Sequence, residues 1–301
     1  MSGVAVLLII VSAFTHAAWN LLGKRRHPSA GFFLAANLAG SLLLIAVIAI
    51  FAPRLSGVPA RVWLLLGLTG FFQCLYYVSL AAAYRSGDMS VAYPAARSLP
   101  VLLTTALVLL QGGGAGFSAL YGVGCALVLA GIAALALGSP RERGGRRVGP
   151  WIAYALLAAV GTTGYSFVDA EALRILRSAG DPPLGAAEAG VLYLALEAVA
   201  STSWMILYVL AVGRERRELG RTVRESWRPA LLMGAGIYVT YGLVLVAMSF
   251  ARNVGYIVAF RQLSVPLGAV VAMLLLREPA RPIRVVGIAV ASVGLALVAV
   301  G

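Results

Sequence analysis

The sequence predicts an all-α integral membrane protein of ten transmembrane helices arranged as two inverted five-helix repeats. Three observations predict it: a strongly apolar composition, a Lys and Arg distribution that alternates from loop to loop, and an internal repeat carrying a pair of intramembrane arginines. Of 301 residues, 61% are hydrophobic and 12% charged, and the mean hydropathy is +0.92. A soluble domain is nearer half apolar and a quarter charged.

Apolar runs long enough to cross a hydrocarbon layer of about 30 Å, which takes about 20 helical residues, recur along the whole chain. They cover 2–22, 29–52, 61–84, 89–111, 117–138, 149–169, 187–212, 228–251, 254–276 and 282–300. Helix breakers such as Pro53, Pro59, Pro140, Pro182, Pro183 and Pro279 fall between them. The repeats therefore divide at 1–140 and 141–301, with short loops and no stretch left for a soluble domain. The first run lacks a basic leader and is too long for a signal-peptide core, so it reads as a retained helix.

The net charge of +13 follows the membrane rather than a nucleic acid. Of 24 Lys and Arg, 17 lie in loops after odd-numbered helices, 5 in loops after even-numbered ones and two within helices. Cytoplasmic loops collect such residues. The odd loops are thus expected in the cytoplasm and both termini outside, in a cell inner (plasma) membrane. Solvated charge near headgroups is the plainer reading of the same runs. Cys74 and Cys125 fall in different predicted helices and read as small packing residues.

Shifted by 164 residues, Tyr77, Ala83, Ala95, Arg97, Leu99, Val101 and Leu103 coincide with Tyr241, Ala247, Ala259, Arg261, Leu263, Val265 and Leu267. Gly124 and Gly131 match Gly287 and Gly294 at a shift of 163. Several of these identities follow from Ala- and Leu-rich composition, but a charged residue at the same place in two membrane helices does not. Five helices per half is an odd number, so the second half enters the membrane in the opposite sense. Arg97 and Arg261 each lie about 10–12 Å along their helices at 1.5 Å per residue. Counted from opposite faces, both approach the midplane.

An arginine at that depth costs about 2.5–3.5 kcal/mol on insertion scales and belongs in a protein interior or water-filled cavity. Paired guanidinium forks at Arg97 and Arg261 fit a carboxylate or phosphate. A structural role, satisfied by carbonyls freed at Pro94, Pro100 or Pro266 or by an acid, is the alternative. These three prolines are expected to break or bend the fourth and ninth helices beside a cavity. Tyr77, Tyr93, Tyr241, Tyr256 and Gln262 are candidate lining residues, with Tyr76 and Tyr238 in the same aromatic cluster. The alternatives are buried packing and, near span ends, interfacial anchoring. In "THAAWNLLGK", His16 and Asn20 share a face with Trp19 adjacent, giving either substrate contact or an interhelical bond. Glu197, Asp169 and His16 are the candidate proton-coupling groups.

There is no phosphate-binding GxxxxGK[ST] loop and no HExxH, and the chain has two histidines in all. No enzyme activity, cofactor or metal is expected.

"HAAWNLLGK", "YYVSLAAAYRSGDMSVAYPAARSLP" and "VGYIVAFRQLSV", with "GVGCALVLAGIAAL" and "GIAVASVGLALV" closing the halves, resemble the drug/metabolite transporter superfamily, specifically its EamA-domain permeases. The likeness covers essentially the whole chain and includes an HAxWN and YRxGDxSxxYPxAR pattern. It implies a secondary carrier exporting small metabolites such as amino acids or organic acids, by alternating access around a central cavity. The expected partners are a small anionic or zwitterionic solute, membrane lipid and protons as a possible coupling ion, in a monomer or homodimer. A lipid-phosphate flippase is the alternative. The acid frequent after the family's fourth helix is missing in "LLQGGGAGFS", whereas Glu278 follows the ninth. Many members are also cytoplasmic at both termini, opposite to the charge distribution here.

Overall fold

A computed structural model describes residues 3–25, 28–110, 118–138, 149–179, 184–249 and 264–300. Of these, 92% are helical, and no strand occurs among them. The helices are α1 (Gly3–Arg25), α2 (Ala30–Phe51), α3 (Ala60–Ser86), α4 (Met89–Leu110), α5 (Ala119–Gly138), α6 (Trp151–Arg177), α7 (Ala186–Ala211), α8 (Gly213–Glu225), α9 (Trp227–Ser249), α10 (Ser264–Leu275) and α11 (Pro282–Val300). Local chemistry sets several ends. Ser29 Oγ accepts from Phe32 N at the start of α2. Pro59 precedes α3, and extended Gly87 separates α3 from α4.

Five helices, α2, α3, α5, α6 and α7, are long and apolar enough to cross a membrane. Large aliphatic side chains project outward from them, including Leu43 at 60%, Leu64 at 76% and Leu207 at 61% exposure. Water would penalise so much contiguous apolar surface; lipid does not. The protein is thus an all-helical chain with the outer surface of a membrane protein.

Two predicted features are corrected. The segment after the seventh run, expected as a loop, forms α8. Its inner stripe is Glu215, Leu219 and Thr222, a spacing of four and three that suits one helix face. The sixth helix runs to Arg177 rather than 169, so Asp169 lies inside it. Pro94 and Pro100 both lie within α4, which continues through them rather than ending; Pro266 lies in α10, and the chain just before Ser264 falls outside the described residues.

The helices pack in pairs. α5 runs along α11, α3 along α6 and α1 along α9, while α2 contacts both α7 and α9. α4 contacts α6 and α10, and α1 also meets α10. Glycines set the closest approaches. A Cβ on Gly124 would lie 2.7 Å from Val298 N, one on Gly131 2.6 Å from Ala291 N, and one on Gly138 2.8 Å from Arg284 Cγ. Rising numbers on α5 meet falling numbers on α11, so the pair is antiparallel. α2 and α7 are antiparallel too: Asn37 Nδ2 is 3.9 Å from Met205 Sδ, and Ser41 Oγ bonds Ala198 O at 3.0 Å.

One end of the bundle, the ionic end, gathers Lys24, Arg25, Arg85, Asp88, Glu215 and Arg284, whereas Arg61 and Arg174 pair with Glu171 at the opposite end of α3. Arg284 Nη2 pairs with Asp88 Oδ2 at 2.7 Å, and Arg85 Nη1 with Glu215 Oε1 at 3.2 Å. Glu215 Oε2 also accepts from Gly31 N. Lys24 Nζ donates to the carbonyls of Tyr84 and Gly87, and Arg25 Nη2 to that of Leu275. Among the described residues, the junctions α1–α2, α3–α4, α7–α9 and α10–α11 therefore meet at one end.

Candidate functional site

A cavity lies between α1, α3, α4, α6, α7 and α9, with about 80 Å³ of space for the centres of water molecules. One buried water needs about 10–15 Å³ on that measure, so the cavity has room for several waters. Each helix contributes one face. His16 and Trp19 come from α1, Gln73, Tyr76 and Tyr77 from α3, and Arg97 from α4. Tyr165 comes from α6, Leu194 and Glu197 from α7, and Ile237, Tyr238, Thr240 and Tyr241 from α9. Spacings of three and four put His16 with Trp19, Gln73 with Tyr76 and Tyr77, and Leu194 with Glu197 on common faces.

The walls are largely aromatic. The His16 and Trp19 rings meet edge to face at 4.8 Å, Tyr76 and Tyr77 lie 5.1 Å apart, and Tyr76 meets Tyr165 at 6.1 Å. Tyr238 Oη donates to Asn37 Oδ1 at 3.2 Å, and the Ser41 hydroxyl beside it bonds that of Thr202 at 2.8 Å. The Ser41 hydroxyl also reaches Tyr238 Oη at 3.4 Å, so α2 holds the hydroxyl end of this lining ring.

Among the enclosed polar atoms of this wall, Arg97 Nε, Glu197 Oε2 and Trp19 Nε1 have no hydrogen-bond partner among the described residues. Buried polar atoms are ordinarily satisfied, and here each belongs to a side chain lining the space. Behind Glu197, Asp169 Oδ1 accepts from Thr69 Oγ1 at 2.5 Å and Tyr193 Oη at 2.6 Å, tying α6 to α3 and α7. A second, much smaller cavity is lined by Ser12, Ala13, His16, Arg97, Thr240 and Ser264, sharing His16, Arg97 and Thr240 with the first.

Of the residues predicted for the site, His16, Trp19, Tyr77, Arg97, Glu197 and Tyr241 line this cavity together. Asn20 does not. It is fully buried, accepts from Tyr84 Oη at 2.6 Å and donates to His16 O. Tyr93 packs behind the wall against Gly268, with its ring 6.1 Å from His16. Asp169 holds helices together rather than facing the space. Arg261, Tyr256 and Gln262 lie outside the described residues. Sequence reasoning missed Gln73, Tyr165 and Thr240, whose signal was a polar group in an apolar run one turn from a named tyrosine or on a facing helix.

A crystal structure of another protein is similar over 99% of this chain and 96% of its own, with a TM-score of 0.55 at 19% identity. That likeness shows the fold alone. No family model matches the chain, and no curated protein matches it.

Proposed function

We propose that this chain is a secondary transporter of small anionic or zwitterionic metabolites, of the drug/metabolite type that its motifs resemble. It would have ten spans in two inverted repeats in the inner membrane, the ionic end facing the cytoplasm. The observation that carries the reading is the cavity. A guanidinium and a carboxylate with unpartnered atoms face a space with room for several waters, walled by rings, between helices of residues 1–140 and 141–301. Such a space offers directional donors to an anionic group and apolar faces to the remainder of a solute.

An exchange relation in the packing supports the repeat. Gly70 approaches the Ala200 carbonyl, and Gly234, 164 positions after Gly70, approaches that of Ala36, 164 positions before Ala200. Gly124 meets Gly294 and Gly131 meets Gly287, so the matched glycines also exchange partners. α3 on α6 corresponds to α9 on α1, α2 on α9 to α7 on α3, and α4 on α6 to α10 on α1. Counterpart helices α2 and α7, like α5 and α11, lie antiparallel, the relation an in-plane two-fold axis requires.

Transport then proceeds by one half rocking against the other around the cavity. Coupling to protons would fall to Glu197, Asp169 or His16, with exchange or downhill movement as the other modes. The test is a thermal-shift screen of amino acids, organic acids, phosphonates and nucleosides on purified protein, followed by uptake of the best stabiliser into vesicles. A ligand at 100 times its dissociation constant adds about 2.7 kcal/mol. Stabilisation and uptake that both persist in Arg97→Ala would overturn the anion site. Movement of a fluorescent phospholipid instead of any solute would favour a flippase.

A further inference from the structure

Two polar layers lie between the cavity and the ionic end of the bundle. Nearer the cavity, Tyr84 Oη donates to Asn20 Oδ1 at 2.6 Å, and both residues are fully buried. Beyond it, three residues join the start of α4 to the α10–α11 junction. Glu278 accepts from Met89 N at 2.8 Å and Ser90 N at 2.7 Å, satisfying donors that a helix start leaves open and opposing its dipole. Arg284, with 0% of its side chain exposed, pairs with Asp88 at 2.7 Å and donates from Nε to the Gly138 carbonyl at 3.0 Å.

These bonds cross between the two halves, and they hold the end of the helix that carries Arg97. The internal repeat does not reproduce them. The position 164 before Glu278 is Gly114, that 163 before Arg284 is Tyr121, and that 164 after Asp88 is Arg252. Tyr121 shares a hydrogen bond with Thr105 of its own half at 2.6 Å. A machine of two related halves would otherwise close at either end with similar ease.

We propose that Asp88, Glu278 and Arg284 form a gate at the ionic end, positioning α4 and biasing the resting protein toward closure there. The idea rests on the two-half transport reading. Each turnover must part Arg284 from Asp88 and uncap α4, and charge-assisted bonds of this kind, enclosed from water, set the balance between the two states. The three residues bind no solute; they act through the position of α4.

The test uses the full chain in vesicles of known orientation, with Cys74 and Cys125 replaced by serine and a reporter Ile237→Cys in the cavity wall. Labelling by a membrane-impermeant maleimide is timed from each face without any solute present. Asp88→Asn with Glu278→Gln is expected to speed labelling from the ionic end by about tenfold or more, since losing even one charged hydrogen bond shifts an equilibrium that far. Labelling from the other face should slow. The exchange Asp88→Arg with Arg284→Asp should restore protection, and Glu225→Gln, an exposed acid on α8, should change nothing. Unchanged labelling from both faces in the double variant overturns the gate, as does equal acceleration by Glu225→Gln. If the double variant does not fold, Glu278→Asp takes its place, with a smaller acceleration expected and none overturning the gate. The reporter needs no substrate. Altered labelling without any stabilising metabolite would therefore overturn transport while keeping the gate, and the converse result would do the reverse.

Discussion

Arg97 and Glu197 face the same cavity from α4 and α7, and no ion pair joins them among the described residues. A cation and an acid that share a space without neutralising each other leave both available to a third molecule.

The first prediction follows from that arrangement. Arg97→Ala is expected to weaken binding of the best metabolite by about 10- to 100-fold, the worth of a hydrogen bond to a charged group. Arg97→Lys keeps the charge but loses the fork, so its loss should be smaller. Isothermal titration on detergent-solubilised protein measures both, and equal affinity in all three forms would contradict the assignment.

Gly122 and Gly124 provide a matched pair on one helix. A Cβ at Gly122 meets nothing within 4 Å, whereas one at Gly124 lies 2.7 Å from a backbone nitrogen of α11. Gly122→Ala should leave the melting temperature unchanged or slightly raised, and Gly124→Ala should cost about 1–3 kcal/mol by overpacking. Unfolding followed by intrinsic tryptophan fluorescence separates the two.

The buried bond from Tyr193 to Asp169 is tested by Tyr193→Phe. Removing the hydroxyl leaves part of an enclosed acceptor unsatisfied at a cost of about 1–3 kcal/mol, read as a lower denaturation midpoint. Tyr193 does not line the cavity, so affinity for a bound metabolite should change less than in Arg97→Ala.

Two acids on α8 should behave differently. Glu215 is 3% exposed and pairs with Arg85, which is 28% exposed; Glu225 is 59% exposed and pairs with Arg221 four residues earlier. Glu215→Gln is expected to cost about 2–3 kcal/mol, below the about 3–5 of a fully enclosed pair. Glu225→Gln should cost about 0.5 kcal/mol or less. Similar melting curves for the two would show that α8 is not anchored through Glu215.

Much of this was legible because membrane helices announce themselves by apolar length and by where their charges stop. The starts of α4 and α11 fall on the first residues of the predicted spans. Arg97, Tyr77 and Tyr241 were legible as lining residues because polar groups deep in an apolar run need an interior. α8 was hidden since its inner stripe includes Glu215, an acid whose burial depends on Arg85 and the start of α2, far away in the chain. For Asn20 the sequence left substrate contact and an interhelical bond both open, and the structure shows the second. Spacing places it on the His16 face, but only the packed structure brings Tyr84 to it. Pro94 and Pro100 do not end α4, because each removes only one backbone bond and the helix continues through both.

Gly124, Gly131 and Gly138 recur every seven residues on α5, as do Gly287 and Gly294 on α11, and contact persists at all three levels. A straight α-helix drifts about 20° per seven residues relative to such a repeat. A glycine seam kept in register over that length favours a left-handed crossing of α5 and α11. On the proposed transport reading, a seam this close, with no side chain between the backbones, makes α5 and α11 the pair about which one half would turn against the other.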